Sequence, residues 1–257
     1  MADQVGTARK DRTIVNQGLN YLSFHMMSSK MVHFEVFPWR PNPDPVKFII
    51  HKDLLDRYAP DFPYFRVAGG PPTQLKSSSD DGEAYRYDYC DPAVFRGFVH
   101  WLYTGKLPTA DDIRKFPYPR EWDEGKENEP LAVNMAFELY IVALELKVLA
   151  LNNATMSFLF DYYTEWQIVP SMDRIRSVIH DLEDYEDEPL ENFLVDICYR
   201  VGDKNLADTR MTNWKEYMDM SLNIDTSFLL AIYRRHCMVR LNGEEFAEMN
   251  KEDYLVE

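Results

Sequence analysis

The stretch Asp91-Pro-Ala-Val-Phe-Arg-Gly-Phe-Val-His-Trp-Leu-Tyr-Thr-Gly-Lys-Leu107 constrains this chain more than any other. An Asp side chain accepts from the free N–H groups of a first helical turn, and a Pro directly after it already holds a helical φ. Phe95, Phe98, Val99, Leu102 and Tyr103 fall at offsets 0, 3, 4, 7 and 8, the spacing of one buried helical face. Gly105 supplies the stop, since a residue without Cβ takes the left-handed turn that ends a helix at little steric cost.

The partner of this helix in the sequence is Phe48-Ile-Ile-His-Lys-Asp-Leu-Leu55, an alternating apolar strand that turns directly into a short helix ending near Ala59-Pro60. Upstream, Val32, Phe34 and Val36 alternate with His33 and Glu35, the period of a strand with one face buried. The stretch from Pro38 to Pro45 cannot stay in a regular ladder, because proline lacks the donor. A β-hairpin with a long, stiff loop is predicted, its strands at 31–37 and 46–51. A third strand is expected at 85–89, where Tyr85, Tyr87 and Tyr89 alternate with Arg86 and Asp88. The loop 66–84 carries Gly69-Gly-Pro-Pro72 and Ser77-Ser-Ser-Asp-Asp-Gly82 and reads as exposed. The predicted fold class is therefore α+β, a small sheet flanked by helices and followed by an all-helical extension.

Residues 108–130 read as a charged, Pro-rich insertion in which Phe116, Tyr118 and Trp122 either anchor the loop to the core or belong to a binding surface. Leu131 to Leu146 is apolar nearly all round, with Met135, Leu139, Val142 and Leu146 on one line, which predicts a centrally buried helix. Leu151, Ala154, Phe158 and Tyr162 mark its successor, so a helical hairpin is expected over 131–163. The text changes at Thr164–Pro170. Ile175, Val178, Ile179 and Leu182 then make a brief amphipathic helix, and Leu190, Phe193, Leu194, Ile197 and Cys198 another at offsets 0, 3, 4, 7 and 8. The last helix holds Leu229, Ile232, Tyr233 and His236. The domain reading is a polar leader at 1–28, an interaction domain at 29–163 and a helical extension at 164–257. Within the leader, Leu19, Leu22 and Met26 share one side of a short helix that is either an arm against a partner subunit or a partly ordered lead-in.

Composition narrows the function classes. Of 257 residues, 46% are hydrophobic and 14% aromatic, enough for a real core. The formal net charge of -15 opposes the phosphate backbone, so direct nucleic-acid binding is not expected. The three cysteines, Cys90, Cys198 and Cys237, show no C-x-x-C spacing, which suggests neither a disulfide framework nor a zinc knuckle. No basic-then-apolar leader marks a signal peptide, and no apolar run is long enough to span a bilayer. A reducing compartment, cytoplasm or nucleus, is expected, and no membrane association. Asn153-Ala-Thr155 matches the glycosylation triplet but sits inside a predicted helix.

A search for catalytic machinery finds no G-x-S-x-G, P-loop, G-x-G-x-x-G or H-E-x-x-H pattern. No two of His25, His33, His51, His100, His180 and His236 are three or four apart. His51 stands where a strand becomes a helix and is read as a structural link. Asp80-Asp81 and Asp111-Asp112 lack the alternating spacing of a calcium loop. The acidic run from Asp181 to Glu191 is a solvated face or an attraction for a basic partner. No enzyme, cofactor or metal site is expected.

Three of these segments together resemble the BTB/POZ family: Phe48-x-x-His51-Lys52-x-x-Leu55 with the later Tyr64-Phe65; Asp91-Pro-x-Val-Phe95-x-x-Phe98-x-x-Trp101-Leu-Tyr-Thr-Gly-Lys-Leu107; and Leu139 to Asn153. The resemblance spans roughly 30–163, and the helical remainder is similar in style to stand-alone fungal BTB proteins. It implies a non-enzymatic protein–protein interaction module, an adaptor for a cullin-type ubiquitin ligase or another assembly. The alternative it implies is a transcription-associated oligomerisation factor without a DNA-binding element of its own. Relatives with a swapped dimer use an Asp at the start of the first strand. Here that strand is Met31-Val-His-Phe-Glu-Val36, and of the charged pocket only Lys52 matches, so the homodimer is expected to be weak or absent. The candidate partner-binding residues are Leu19, Leu22, Val32, Phe34, Lys52, Phe116, Tyr118 and Trp122, the apolar and aromatic types among them being those that anchor interface centres. The insertion 108–130 is expected to contribute to a heterologous contact.

Overall fold

The computed structural model describes residues 30–37, 44–60, 73–75, 83–87, 90–116, 130–183, 185, 188–207, 228, 230–235, 237 and 249–256. The chain is α+β and divides into two compact units, Met1–Cys90 and Asp91–Glu257.

The first unit is a sheet. Strand β1 (Met31–Val36) pairs antiparallel with β2 (Val46–His51), Phe34 opposite Phe48, as a hairpin requires. Strand β4 (Glu83–Tyr87) pairs parallel with β1, and the short β3 (Thr73–Leu75) pairs antiparallel with β4, giving the order β2-β1-β4-β3. β3 lies in the stretch read as an exposed loop. Three residues are too few to show a period of two, and pairing with β4 is what defines them. Alternation along β1 buries Val32, Phe34 and Val36 and turns Met31, His33 and Glu35 the other way. At His51 the strand ends, its extended φ/ψ serving as the cap of helix α1 (Lys52–Tyr58). Lys52 N–H donates to Lys30 C=O at 2.8 Å, which ties the start of α1 to the entry of β1. Leu54 and Leu55 are the buried side of α1.

The second unit is helical. Helix α2 (Pro92–Thr104) opens and closes as its caps dictate: Asp91 Oδ1 accepts from Ala93 N–H at 2.6 Å, and Gly105 sits at φ 66. Its buried face is turned from the expected one. Phe95, Phe98 and Leu102 are buried, but Val99 is half-buried and Tyr103 is 38% exposed, while Val94 and Trp101 are inside. The buried face is rotated toward Val94 and Trp101, which lie on the flank opposite Tyr103, about 200° round the helix from it. Helix α3 (Ala110–Arg114), unforeseen within the insertion, is held by a reciprocal capping box between Thr109 and Asp112. Those hydrogen bonds from the Thr109 side chain and backbone hold the Asp112 carboxyl below its usual range.

Helix α4 (Leu131–Glu145) lies against α2, α3, α5 and α6, which is why it is apolar all round. It ends in a Schellman turn: Lys147 at φ 49 donates to Leu144 C=O at 3.0 Å and Val148 donates to Ala143 C=O at 2.8 Å. Helix α5 (Leu149–Trp166) then returns to make the expected hairpin. Its buried face is Leu151, Asn152, Thr155, Met156, Leu159, Phe160 and Tyr163; Ala154, Phe158 and Tyr162, expected inside, are only half-buried. The expectation failed because two buried positions carry polar residues. Thr155 is tolerated there by donating to Leu151 and Asn152 carbonyls at 3.0 and 2.8 Å.

Helix α6 (Met172–Leu182) buries Ile175, Val178, Ile179 and Leu182, and α7 (Pro189–Ala207) buries Leu190, Phe193, Leu194, Ile197 and Cys198, as their spacing predicted. These side chains share one core with Val133, Phe137, Tyr140, Leu159 and Tyr163, so α4 and α5 pack continuously with the helices beyond residue 164. Among the described residues of the last helix Phe228 is buried and Ile232 half-buried; Tyr233, expected inside, is 63% exposed, and Leu229 and His236 lie outside the described residues. The segment 249–256 returns to this core as a 3-10 turn, Lys251–Tyr254, whose Tyr254 ring meets Phe160 and Phe193 at 5.8 and 5.6 Å.

Candidate functional site

The residues expected to bind a partner separate in the structure. Leu19, Leu22, Tyr118 and Trp122 lie outside the described residues. Val32 and Phe34 are 1% and 2% exposed, so their side chains are core and offer no surface, a correction to their assignment as interface anchors. The period of two that made them conspicuous is the reason: the apolar members of an alternating strand are the ones a sheet buries. Lys52 stands at the first turn of α1, and its ammonium lies 3.3 Å from Asp56, one turn on. Phe116 is half-buried just past α3, its N–H donating to Ile113 C=O at 3.0 Å.

The surface the sheet does present is its opposite face. There Ile49 is 52% exposed and Met31 38%. In the register Ile49 stands opposite His33 and diagonal to Met31, close enough for the two apolar side chains to form one patch. Lys47 and Glu35 pair at 3.4 Å on the same face, and Arg86 lies over the Phe37 ring at 4.1 Å. Among the described residues β2 ends the sheet, with a backbone edge guarded by exposed Lys47. The hydropathy pattern contained this patch, but only as the apolar exceptions at polar positions.

Ionisable groups in the helical unit are joined into structural pairs. Arg174, 6% exposed, reaches Glu138 Oε1 at 3.2 Å and lies over the Phe137 ring at 5.5 Å. Burial pushes the Glu138 carboxyl up to about 7, opposed by Arg174 and reinforced by Asp181. A third of the Glu138 side chain still meets water, which relieves part of that cost. Tyr140 donates to Glu188 Oε2 at 3.3 Å. Burial, then the Glu188 charge, raise the phenol above its usual range, and burial raises Glu188 as well. Asp196 accepts from Arg235 at 2.6 and 2.9 Å and from the Tyr254 hydroxyl at 2.7 Å, which ties the last helix and the tail to α7.

Among the described residues no group of three or more His, Cys, Asp or Glu is placed to hold a metal ion. Cys90 and Cys198 are buried, and among the described residues no disulfide joins them. His180 pairs with Glu183 at 3.3 Å on an exposed turn, and His51 caps a helix by its backbone conformation. Among the described residues no helix is long and apolar enough to cross a membrane. No protein-family model matches the chain, and no curated protein matches it.

Proposed function

We propose that this chain is a non-enzymatic protein–protein interaction module of the BTB/POZ type, an adaptor that presents a partner to a cullin-type ubiquitin ligase in the cytoplasm or nucleus. The observation that carries the reading is the face of the sheet on which Ile49 and Met31 stand exposed, with β2 the last strand on that side among the described residues. Apolar side chains exposed on a sheet face are what a partner's packed helix uses. The order of elements supports the family part of the proposal. A strand pair running into α1 at His51-Lys52, an Asp91-capped α2 and the α4–α5 hairpin follow one another as the resemblance requires. A formal charge of -15 opposes the approach of identical surfaces, which favours a heterologous partner over a homodimer. Titration of the immobilised chain with a cullin-type scaffold tests the adaptor reading. Saturable binding is expected; no binding at about 100 μM removes it.

A further inference from the structure

The segment 249–256 is seated on the helical unit by separate anchors, and its backbone turns three of its residues the same way. Lys251–Tyr254 is a 3-10 turn, whose period of three puts Lys251 and Tyr254 on one side. Leu255 is extended at φ -90 and ψ 141, and a period of two returns Val256 to that side. Glu252 and Asp253, between the first two, are exposed. Each inward position meets its own feature of the helices beneath. The Lys251 ammonium donates to Asp161 Oδ2 at 2.6 Å and lies 5.9 Å from the centre of the Phe160 ring. The Tyr254 ring packs on Phe160 and stands edge-on to Phe193 at 78°, and its hydroxyl donates to Asp196 Oδ2 at 2.7 Å. The Asn153 amide takes the Val256 backbone at two points, donating to its C=O at 2.9 Å and accepting its N–H at 2.8 Å.

The receiving side is one stripe on each of two helices. Asn153, Phe160 and Asp161 stand at offsets 0, 7 and 8 along α5, and Phe193 and Asp196 at 0 and 3 along α7. Its polar groups remain satisfied when the seat empties. Asp196 also accepts from Arg235 at 2.6 and 2.9 Å, so it stays paired without the tyrosine. The Asp161 side chain is 60% exposed and Asn153 is half-buried, so water reaches both. A seat that leaves no buried polar group stranded can change its occupant. Burial, then the hydrogen bond to Asp196, push the Tyr254 phenol above its usual range, so the seat holds a neutral donor.

We propose that this stripe of α5 and α7 is a peptide-recognition groove for a protein partner, read as a lysine, a tyrosine three residues on and a backbone pair two residues further, with residues 251–256 as the occupant that the partner segment displaces. The seat sets these requirements. An acid at the first position would face Asp161. A phenylalanine in place of the tyrosine fills the aromatic seat but leaves out the bond to Asp196, and a glutamate there brings a charge against that carboxylate. The Asn153 pair reads backbone alone. The groove stands independently of the proposed adaptor role, since none of its residues belongs to the sheet.

A peptide of residues 249–257 with a fluorophore at its N-terminus, read by anisotropy against the full chain, tests the exchange. Weak binding to the parent is expected, since the resident segment lowers the fraction of open groove. Tyr254→Ala in the chain should open the groove and tighten peptide binding about tenfold or more. Lys251→Glu changes a surface contact, leaves the aromatic seat intact and should tighten binding about fivefold, and adding Asp161→Lys should restore the resident pair and exclude the peptide again. That pair of variants covers the case of a Tyr254 variant that fails to fold. A peptide keeping only the lysine and the tyrosine, three apart on an alanine background, should bind the opened chain within about tenfold of the first peptide. Glutamate in place of its tyrosine should abolish that binding. The proposal is overturned by peptide binding that these chain variants leave unchanged or by its absence from both opened chains. It is equally overturned by an alanine-background peptide that does not bind, or that binds as well with glutamate. A parent that dimerises in sedimentation equilibrium and is dissociated by the peptide would assign the groove to a second copy of the chain and overturn the partner.

Discussion

Gly97→Ala in α2 puts two opposed effects against each other. Alanine in a helix interior is worth about 0.5–1 kcal/mol over glycine, because it loses less backbone freedom on folding. At this position, however, a Cβ would lie 2.9 Å from Met135 Sδ and 3.4 Å from Leu139 Cδ2. Both neighbours are fully inside, at 1% and 0% exposure, so neither retreats into solvent. Crowding of this kind costs about 1–3 kcal/mol, toward the lower end where the obstacle is a flexible thioether. The crowding wins narrowly, and a net loss of about 0.5 kcal/mol is expected in urea unfolding. A double-mutant cycle isolates the cause. Met135→Ala alone should cost about 2–5 kcal/mol, but together with Gly97→Ala the loss should fall short of the sum by about 1 kcal/mol, since the sulfur is gone. A more stable Gly97→Ala protein, or additivity within about 0.3 kcal/mol, would refute the close approach of α2 and α4.

Three further outcomes are expected. Leu102→Ala should cost about 2–5 kcal/mol through lost burial and a residual cavity, since Leu102 is 3% exposed; a loss below about 0.5 kcal/mol in urea unfolding would mean that the face of α2 is misplaced. Tyr254→Phe removes the 2.7 Å bond to Asp196 and keeps the ring in the core, so a loss of about 1 kcal/mol is expected, and an unchanged urea midpoint would show that the hydroxyl does not hold the tail. Glu138 is raised when folded to about 7 from 4.5, so the folded chain binds its proton more tightly and this group's contribution to stability falls as pH rises from 4.5 to 7. Relative to Glu138→Gln, the parent should therefore lose more of its urea midpoint between pH 5 and pH 7.5, and parallel midpoints across that window would contradict the raised carboxyl.

Where a local rule and the tertiary structure agreed, the fold was legible in the residues. The Asp91-Pro92 start and Gly105 stop of α2 need only the chain beside them, and the β1–β2 hairpin needs only alternation on both sides of a Pro-rich loop. The faces were harder. α5 hides its buried side because Asn152 and Thr155 occupy it, and a hydropathy period reads both as exposed. β3 is defined by its partner strand, and α3 by a capping box inside a stretch whose prolines argued for loop. The exposed apolar patch was legible in negative. Searching for apolar anchors selected Val32 and Phe34, which the sheet buries, and passed over Ile49, an apolar residue at a position that alternation gives to the solvent face.

The central proposal is that the sheet face carrying Ile49 is a docking surface for a protein partner, and Ile49→Glu tests it most directly. Ile49 is 52% exposed, so the substitution should leave the urea midpoint of the chain within about 0.5 kcal/mol of the parent. Sedimentation equilibrium of parent and variant, alone and mixed with a cullin-type scaffold at micromolar concentration, reads both self-association and the complex. The account predicts a monomeric parent, a heterologous complex with the scaffold, and a complex weakened about tenfold or more by the buried charge. A tight homodimer, no complex with the scaffold, or a complex that Ile49→Glu leaves unchanged would contradict it.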